Sequence, residues 1–316
     1  MRRALIVGID DYPEVPLSGC VNDAKKMQSV LSRNEDGSPN FECRPLLAPN
    51  GDVTRHVLRE NLKELFRHEA EVSLFYFSGH GIVNNLGGYI VTQDYEVHDE
   101  GVAMSEILAL ANGSRTHEVV VILDCCHSGA LGESPVIKED HSVLRLGVSV
   151  LTASGAAQAA VEVVGSGGIF TSLVCGALNG GASDVVGNIT VAAVYAYVEQ
   201  MLGAWDQRPL FKSHVSRLVP LRRCKPEIDL AVLRLLPEYF AEPDGEIRLD
   251  PSFEPDAQPR NADNEKIFSH LQKYRAARLL VPVGEEHMYY AAMNCKSCRL
   301  TPLGRFYWNL AKGGKL

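Results

Sequence analysis

The sequence has no apolar run approaching the ~18 residues that mark a membrane-spanning helix, and its N-terminus lacks the apolar core of a signal peptide. No membrane partner is expected. Its 8 cysteines among 316 residues show no disulfide-framework spacing. With no export signal they are expected to be reduced, in a cytoplasmic protein. There is no tandem repeat and no low-complexity tract. Nor is there an excess of basic charge: the net charge is −8. Residues 1–221 hold 16 basic and 26 acidic residues, and residues 222–316 hold 15 and 13. An acidic first part is unsuited to a nucleic-acid backbone and suited to a basic peptide, although it also serves solubility. No nucleic-acid partner is expected. Hydrophobic content of 46% and charged content of 22% are ordinary for a globular chain.

What is present is a pair of strand ends. The stretch 118–129 reads EVVVILDCCHSG. Val119 to Leu123 is too short for a helix and wholly apolar, as in a central parallel strand buried on both faces. It stops at Asp124, and Cys125, Cys126 and His127 follow. The stretch 72–81 reads VSLFYFSGHG and ends the same way, in His80 between two glycines. In open α/β sheets chemistry collects beyond the carboxyl ends of strands, so two adjacent parallel strands would bring a thiol and His80 together. The pairing has a chemical use. A thiol of pKa about 8.5 is mostly protonated at neutral pH. An adjacent imidazole lowers that pKa and later protonates a leaving amine. The amides of Gly81 and Cys126 are placed to bind a developing oxyanion.

Ser78 to Gly81 (SGHG) and Asp124 to Gly129 (DCCHSG) resemble the two signatures of caspase-like cysteine peptidases, in the metacaspase and bacterial caspase-homologue branch. The resemblance runs over about residues 3–219. It implies a three-layer α/β/α sandwich with a mostly parallel central sheet. It makes Cys126, the cysteine directly before His-Ser-Gly, the nucleophile and His80 its partner, with Cys125 at a variable position. Cys20 to Asp23 (CVND) matches the family's substrate-pocket segment. The resemblance therefore implies an S1 pocket in which Cys20, Asp23 and Asp124 receive a basic P1 residue. From the residues alone, Asn22 or Asp23 equally serves as a helix cap. The end of the strand after residue 148 borders the cleft in the family, which implies that Ala153 and Ser154 pair with substrate backbone. Residues 130–147 resemble the linker that such enzymes cut, with Lys138 and Arg145 as processing sites for the chain itself or an upstream protease. Many metacaspases bind calcium through a dense acidic run. Here only Asp94, Asp99 and Glu100 are nearby, so no metal and no cofactor are expected.

The remaining pattern fills in the fold. Strands are expected at 4–9, 43–48, 89–92, 148–154 and 209–215. Helices are expected at 22–32, 55–68 with Thr54 as cap, 105–111 with Ser105 as cap, 168–178 and 190–202 with Thr190 as cap. The domains are therefore 1–220, the caspase-like part, and 221–316, a small α+β unit. Residues 222–226 (RRCKP) read as a basic hinge, followed by a helix at 228–239. A proline-rich, acidic stretch at 242–259 reads as linker, and a helix at 265–278 follows. Residues 288–293 and 299–301 read as the arms of a hairpin, and 303–310 as a last helix. Helix, helix, hairpin, helix is similar to a winged-helix domain. Cys295 and Cys298 form a lone C-x-x-C, short of the four ligands of a zinc site.

The expected function is a cysteine endopeptidase acting on protein substrates with basic cleavage sites. The resemblance implies a regulated effector, made as a zymogen, in a bacterial stress, cell-death or antiviral response. A catalytically silent caspase-fold adaptor and a DNA-binding regulator acting through the C-terminal unit are the alternatives. The intact dyad argues against the first. The near-neutral charge of residues 222–316 argues against the second.

Overall fold

The computed structural model describes residues 1–49, 51–96, 99–125, 144–153, 162–163, 167–202 and 208–316. Cys126, Lys138 and Ser154 lie outside the described residues. The described chain forms two compact units, one of residues 1–183 and 188–225, the other of 184–187 and 226–316.

The first unit opens with β1 (Arg2–Ile9), which crosses to α1 (Cys20–Ser32) and returns as β2 (Glu42–Ala48). Then come α2 (Arg55–Arg67), β3 (Val72–Ser78), β4 (Gly81–Asn84), β5 (Gly87–Glu96), β6 (Asp99–Ala103), α3 (Met104–Gly113), β7 (Glu118–Asp124) and β8 (Val148–Thr152). After two short strands, β9 (Glu162–Val163) and β10 (Gly167–Gly168), the chain forms α4 (Ile169–Gly176), β11 (Asn188–Ile189), α5 (Val191–Leu202), β12 (Leu210–His214) and β13 (Arg222–Arg223). Six strands make the central sheet, in the order β12-β8-β7-β3-β1-β2. All pairs are parallel except the β12 edge, which runs antiparallel to β8. The expected three-layer, mostly parallel α/β/α architecture is the one found.

The layers follow from strand alternation, since successive side chains point to opposite faces. On β7, Val120 and Ile122 pack with Ala24, Met27 and Leu31 of α1 and with Phe170 and Val174 of α4. Val119, Val121 and Leu123 pack on the other side with Leu58, Leu62 and Phe66 of α2 and Ile107 of α3. Each such side chain, fully withdrawn from water, contributes about 1.5–3 kcal/mol. The register sets Ser78 of β3 beside Asp124 of β7. The strand ends read from the sequence are therefore neighbours.

Several local readings need correction. Thr54 and Thr190 do cap, accepting from the amides of Val57 and Ala193 at 3.3 Å. Ser105 does not: α3 begins one residue earlier, with Ala103 at the cap position and no side-chain cap bond. Neither does Asn22 nor Asp23, because α1 starts at Cys20. Its first amides, Cys20 and Val21, instead donate to Asp10 at 2.8 and 3.3 Å. The single strand expected at 89–92 is the centre of a separate antiparallel sheet, β4-β5-β6. The expected hinge at 222–226 is pinned: β13 pairs with β11, and Arg222 donates to the carbonyls of Arg33 and Leu178 at 3.0 and 2.8 Å.

In the second unit the expected helix at 228–239 is two short ones, α6 (Leu230–Leu233) and α7 (Leu236–Tyr239). Pro237 cannot continue α6, since its ring would meet the carbonyl of Leu233. The stretch read as linker supplies β14 (Glu246–Arg248), followed by α8 (Ala262–Ala276) and β15 (Leu280–Val283). The expected hairpin arm at 288–293 is a helix, α9 (Met288–Met293), with β16 (Ser297–Leu300) and α10 (Pro302–Lys312) after it. Met288, Ala291 and Ala292 are buried, while Tyr289, Tyr290 and Met293 are exposed. That is the i, i+3, i+4 spacing of a helix face, and it overrides the strand preference of the tyrosines. The three strands form one antiparallel sheet, β14-β16-β15, so the helix-helix-hairpin-helix order is not the order found. Among the described residues no helix is long and apolar enough to cross a membrane.

The close packing of α1 on β1 depends on Gly8. A Cβ there would lie 2.5 Å from the Cys20 carbonyl oxygen and 2.8 Å from the Ala24 Cβ. Gly8→Ala is expected to cost about 1–3 kcal/mol of stability, the scale of overpacking a core. Urea denaturation measures it, and an unchanged midpoint would show that α1 can move away without penalty.

Candidate active site

The site lies where β1, β3 and β7 end. His80 is two residues past β3, half-buried, and three contacts fix it. Its Nε2 lies 2.7 Å from the carbonyl oxygen of Val15. A carbonyl oxygen only accepts, so Nε2 carries the proton and the lone pair of the neutral ring sits on Nδ1. The His80 backbone N–H donates to the Tyr12 hydroxyl at 3.0 Å, and that hydroxyl donates to the Val91 carbonyl at 3.3 Å. The Tyr12 and His80 rings lie 4.6 Å apart, tilted by 54°. Burial holds the Tyr12 hydroxyl well above its ordinary pKa, so it stays a neutral donor. Gly79 is required, because a Cβ at that position would strike the Tyr12 hydroxyl and the Phe77 ring. Gly81 begins β4, buried, in register with Ile90 of β5.

On β7, alternation separates neighbours. Cys125 continues the Val119, Val121, Leu123 series into the α2–α3 layer and is 2% exposed. Its thiol therefore belongs to a core. Asp124 faces the other layer, where the hydroxyl of Thr171, in the first turn of α4, donates to its Oδ2 at 2.6 Å. The Thr171 proton being spent on the carboxylate, the Tyr76 hydroxyl donates in turn to Thr171 Oγ1, also at 2.6 Å. Tyr76 is fully buried, and burial, together with the charge of Asp124, raises its pKa well above the usual value.

Asp23 arrives from α1, one turn after Cys20, and is 1% exposed. Its Oδ2 accepts from the Gly168 N–H at 2.6 Å, and its Oδ1 from Lys26 Nζ at 3.1 Å. Gly168 joins the two acids. A Cβ on Gly168 would sit 2.7 Å from Asp124 Oδ2 and 3.2 Å from Asp23 Oδ2. Two carboxylates from different elements thus flank one glycine at the start of α4. Like charges this close are stable only with cations or donors on them. Lys26, Gly168 and Thr171 supply part of that compensation.

The other expected positions sort clearly. Cys20 opens α1 and is buried. Ala153 extends the β8–β7 pairing, donating to the Leu123 carbonyl at 2.9 Å, and is buried in the α1–α4 layer. Arg145 lies before β8, at the amino end of the sheet, away from the strand ends that carry His80 and Asp124. Its side chain donates to the carbonyls of Thr116 at 2.8 Å and Leu146 at 2.5 Å. Asp94 takes Arg55 Nε at 3.0 Å, and Asp99 is ion-paired with the same guanidinium. Glu100 accepts from Asn84 at 3.0 Å. Among the described residues, no group of three or more His, Cys, Asp or Glu is placed to hold a metal ion. The sequence reading missed Tyr12, the Val15 carbonyl, Lys26, Gly168 and the Tyr76–Thr171 relay. Lys26 carries a local signal, since it stands three residues after Asp23 on one helix face, and Gly168-Ile-Phe-Thr reads as a helix start; the others act on residues far away in sequence.

The family model of the caspase domain, Peptidase_C14, matches residues 1–220. Metacaspase-3 of Arabidopsis thaliana is 28% identical over 156 residues, 43% of this chain and 42% of that protein. Metacaspase-3 of Trypanosoma cruzi (strain CL Brener) is 27% identical over 152 residues, 42% of each chain. The alignments thus cover under half the length of these curated relatives. A crystal structure of a protein from Geobacter sulfurreducens superimposes with a TM-score of 0.52 at 15% identity, over 72% of this chain and 98% of that one. That likeness is one of fold.

Tyr12→Phe removes one acceptor and one donor, leaving the His80 N–H and the Val91 carbonyl without the hydroxyl. A loss of about 1–3 kcal/mol of stability is expected, read from urea denaturation. A variant as stable as the parent would mean that the hydroxyl does not hold the His80 backbone.

Proposed function

This chain belongs to the caspase-domain family over residues 1–220, and from that premise we propose that it is a cysteine endopeptidase cutting protein substrates after arginine or lysine. The observation that carries the specificity is the pair of buried acids, Asp23 and Asp124, flanking Gly168 beside the strand that leads to Cys126. An acidic pocket of two carboxylates favours a guanidinium, which two oxygens can grip bidentately, over an ammonium, and rejects a carboxylate.

In this reading His80 Nδ1 takes the proton of the Cys126 thiol, and the thiolate adds to the scissile carbonyl carbon. The oxyanion forms against the amides of Gly81 and Cys126. The C–N bond then breaks, the imidazolium gives its proton to the leaving amine, and the acyl group stays on sulfur as a thioester. Water, deprotonated by His80, adds to the thioester, and the carboxylic acid and the thiol are released. Two features of the described residues support these roles. The Val15 carbonyl fixes the tautomer that leaves Nδ1 as base. Burial of Cys125 in the α2–α3 layer leaves the cysteine that follows it as the candidate nucleophile. Of the two expected processing sites we favour Lys138, because the Arg145 guanidinium is already held by two backbone carbonyls.

A panel of fluorogenic peptides tests the reading. Arg at P1 should be cut best, Lys next, and Asp not at all, and efficient cleavage after Asp would sink the assignment. Cys126→Ala should abolish activity and Cys125→Ala keep most of it. Labelling of Cys125 by a thiol-directed substrate analogue, seen by peptide mass spectrometry, would reverse the two. Asp23→Asn or Asp124→Asn should lower kcat/KM by ~10²-fold or more, the scale of breaking a buried charge pair at about 3–5 kcal/mol.

A further inference from the structure

His80 forms one wall of a cavity of about 270 Å³ that the roles above do not use. The size lies just under the roughly 300–1,000 Å³ of small-molecule clefts, so it fits one large side chain better than a whole ligand. Its other walls come from two places. Tyr12, Pro13 and Val15 belong to the segment between β1 and α1, and Ile82 and Tyr95 belong to β4 and β5. Among the described lining residues Pro13, Val15, Ile82, Val91 and the rings of Tyr12 and Tyr95 are apolar surface, and Glu14, which is exposed, is the carboxylate. Val15, whose carbonyl holds the imidazole, is 60% exposed.

We propose that this cavity is the S1′ subsite and selects an apolar residue immediately after the scissile bond. The inference rests on the peptidase reading. A general acid must touch the leaving nitrogen, and the P1′ Cα is bonded to that nitrogen. A cavity walled by the same imidazole is therefore within reach of the P1′ side chain. The layers agree. Asp23 and Asp124 face the α1–α4 layer, whereas Tyr12, Ile82 and Tyr95 pack with the α2–α3 layer. Successive side chains of an extended peptide point to opposite sides. A basic P1 side chain directed to the two acids sends P1′ toward the cavity. P2 is sent the same way, but it lies on the acyl side of the bond, remote from the nitrogen that His80 protonates. Glu14 disfavours an acidic P1′ residue, so the expected order is Phe or Leu, then Gly, then Asp.

The test uses quenched-fluorescence peptides with Arg fixed at P1, varied at P1′ in one series and at P2 in another. The wild-type chain should cut P1′ Phe or Leu at least about tenfold better than Gly in kcat/KM, the scale of filling a hydrophobic pocket. Ile82→Ala and Tyr95→Ala should each reduce that ratio several-fold. A ratio of two substrates on one preparation is independent of the fraction of active enzyme, so partial unfolding of a variant does not obscure the result. A flat P1′ profile, or a ratio unchanged in both variants, overturns the proposal. So does a preference at P2, with none at P1′, that the two variants relax, because the cavity would then be S2. If no peptide with Arg or Lys at P1 is cut, the peptidase reading fails and the subsite fails with it.

Discussion

A sheet buried on both faces admits polar side chains along its strands only where they are paired and leaves the ends as their main place, and this constraint arranges the first unit. The middles of β1, β3 and β7 are almost wholly apolar because water reaches neither face, and the hydroxyls within β3, on Ser73 and Tyr76, are hydrogen-bonded to Thr116 and Thr171. Polar groups before the ends would have to be paired inside a core. At the carboxyl ends Asp10, Ser78, His80 and Asp124 appear together. The parallel register then works as an alignment device, because strands in step end in step.

Alternation gives the ends a second property: two sides with different chemistry. One side holds carboxylates, with Asp124 from β7 and Asp23 from α1 meeting at Gly168. The other holds Tyr12 and the apolar walls around His80. Consecutive residues on β7 fall to opposite sides, so Asp124 and Cys125 differ completely in environment although they are adjacent in the chain. The acidic side is also partly compensated from within. Lys26, one turn after Asp23 on α1, places an ammonium on the buried carboxylate. The hydroxyl of Thr171 likewise donates to Asp124.

His80 is held in place mostly by backbone groups and by one tyrosine. The imidazole is oriented by a carbonyl from the β1–α1 segment, and its own amide is held by a tyrosine from the same segment. That segment is itself tethered to the start of α1 through Asp10, which accepts from two amides there. Helix start, tyrosine and histidine thus form one connected structure around the strand ends.

The sequence by itself determined the strands of the central sheet, the residues at their ends and most helices of the first unit, since those depend on local pattern: apolar runs, helical spacing, and Thr54 and Thr190 at caps. It placed His80 and Asp124 correctly at neighbouring strand ends, because a parallel sheet leaves few other arrangements. It failed where a distant residue decides. Asp10 replaces a local cap for α1, 10 residues from Cys20. The stretch 242–259 looks like linker until β16 offers it a partner at Ser297 to Arg299. Residues 288–293 have strand-forming tyrosines, but the core accepts Met288, Ala291 and Ala292, and only a helix presents those three together. Which groups hold His80, which glycine joins Asp23 to Asp124, and which side of the sheet each strand-end residue faces are matters of register and layer. Those are fixed only when separate elements pack, and only the tertiary structure decided them.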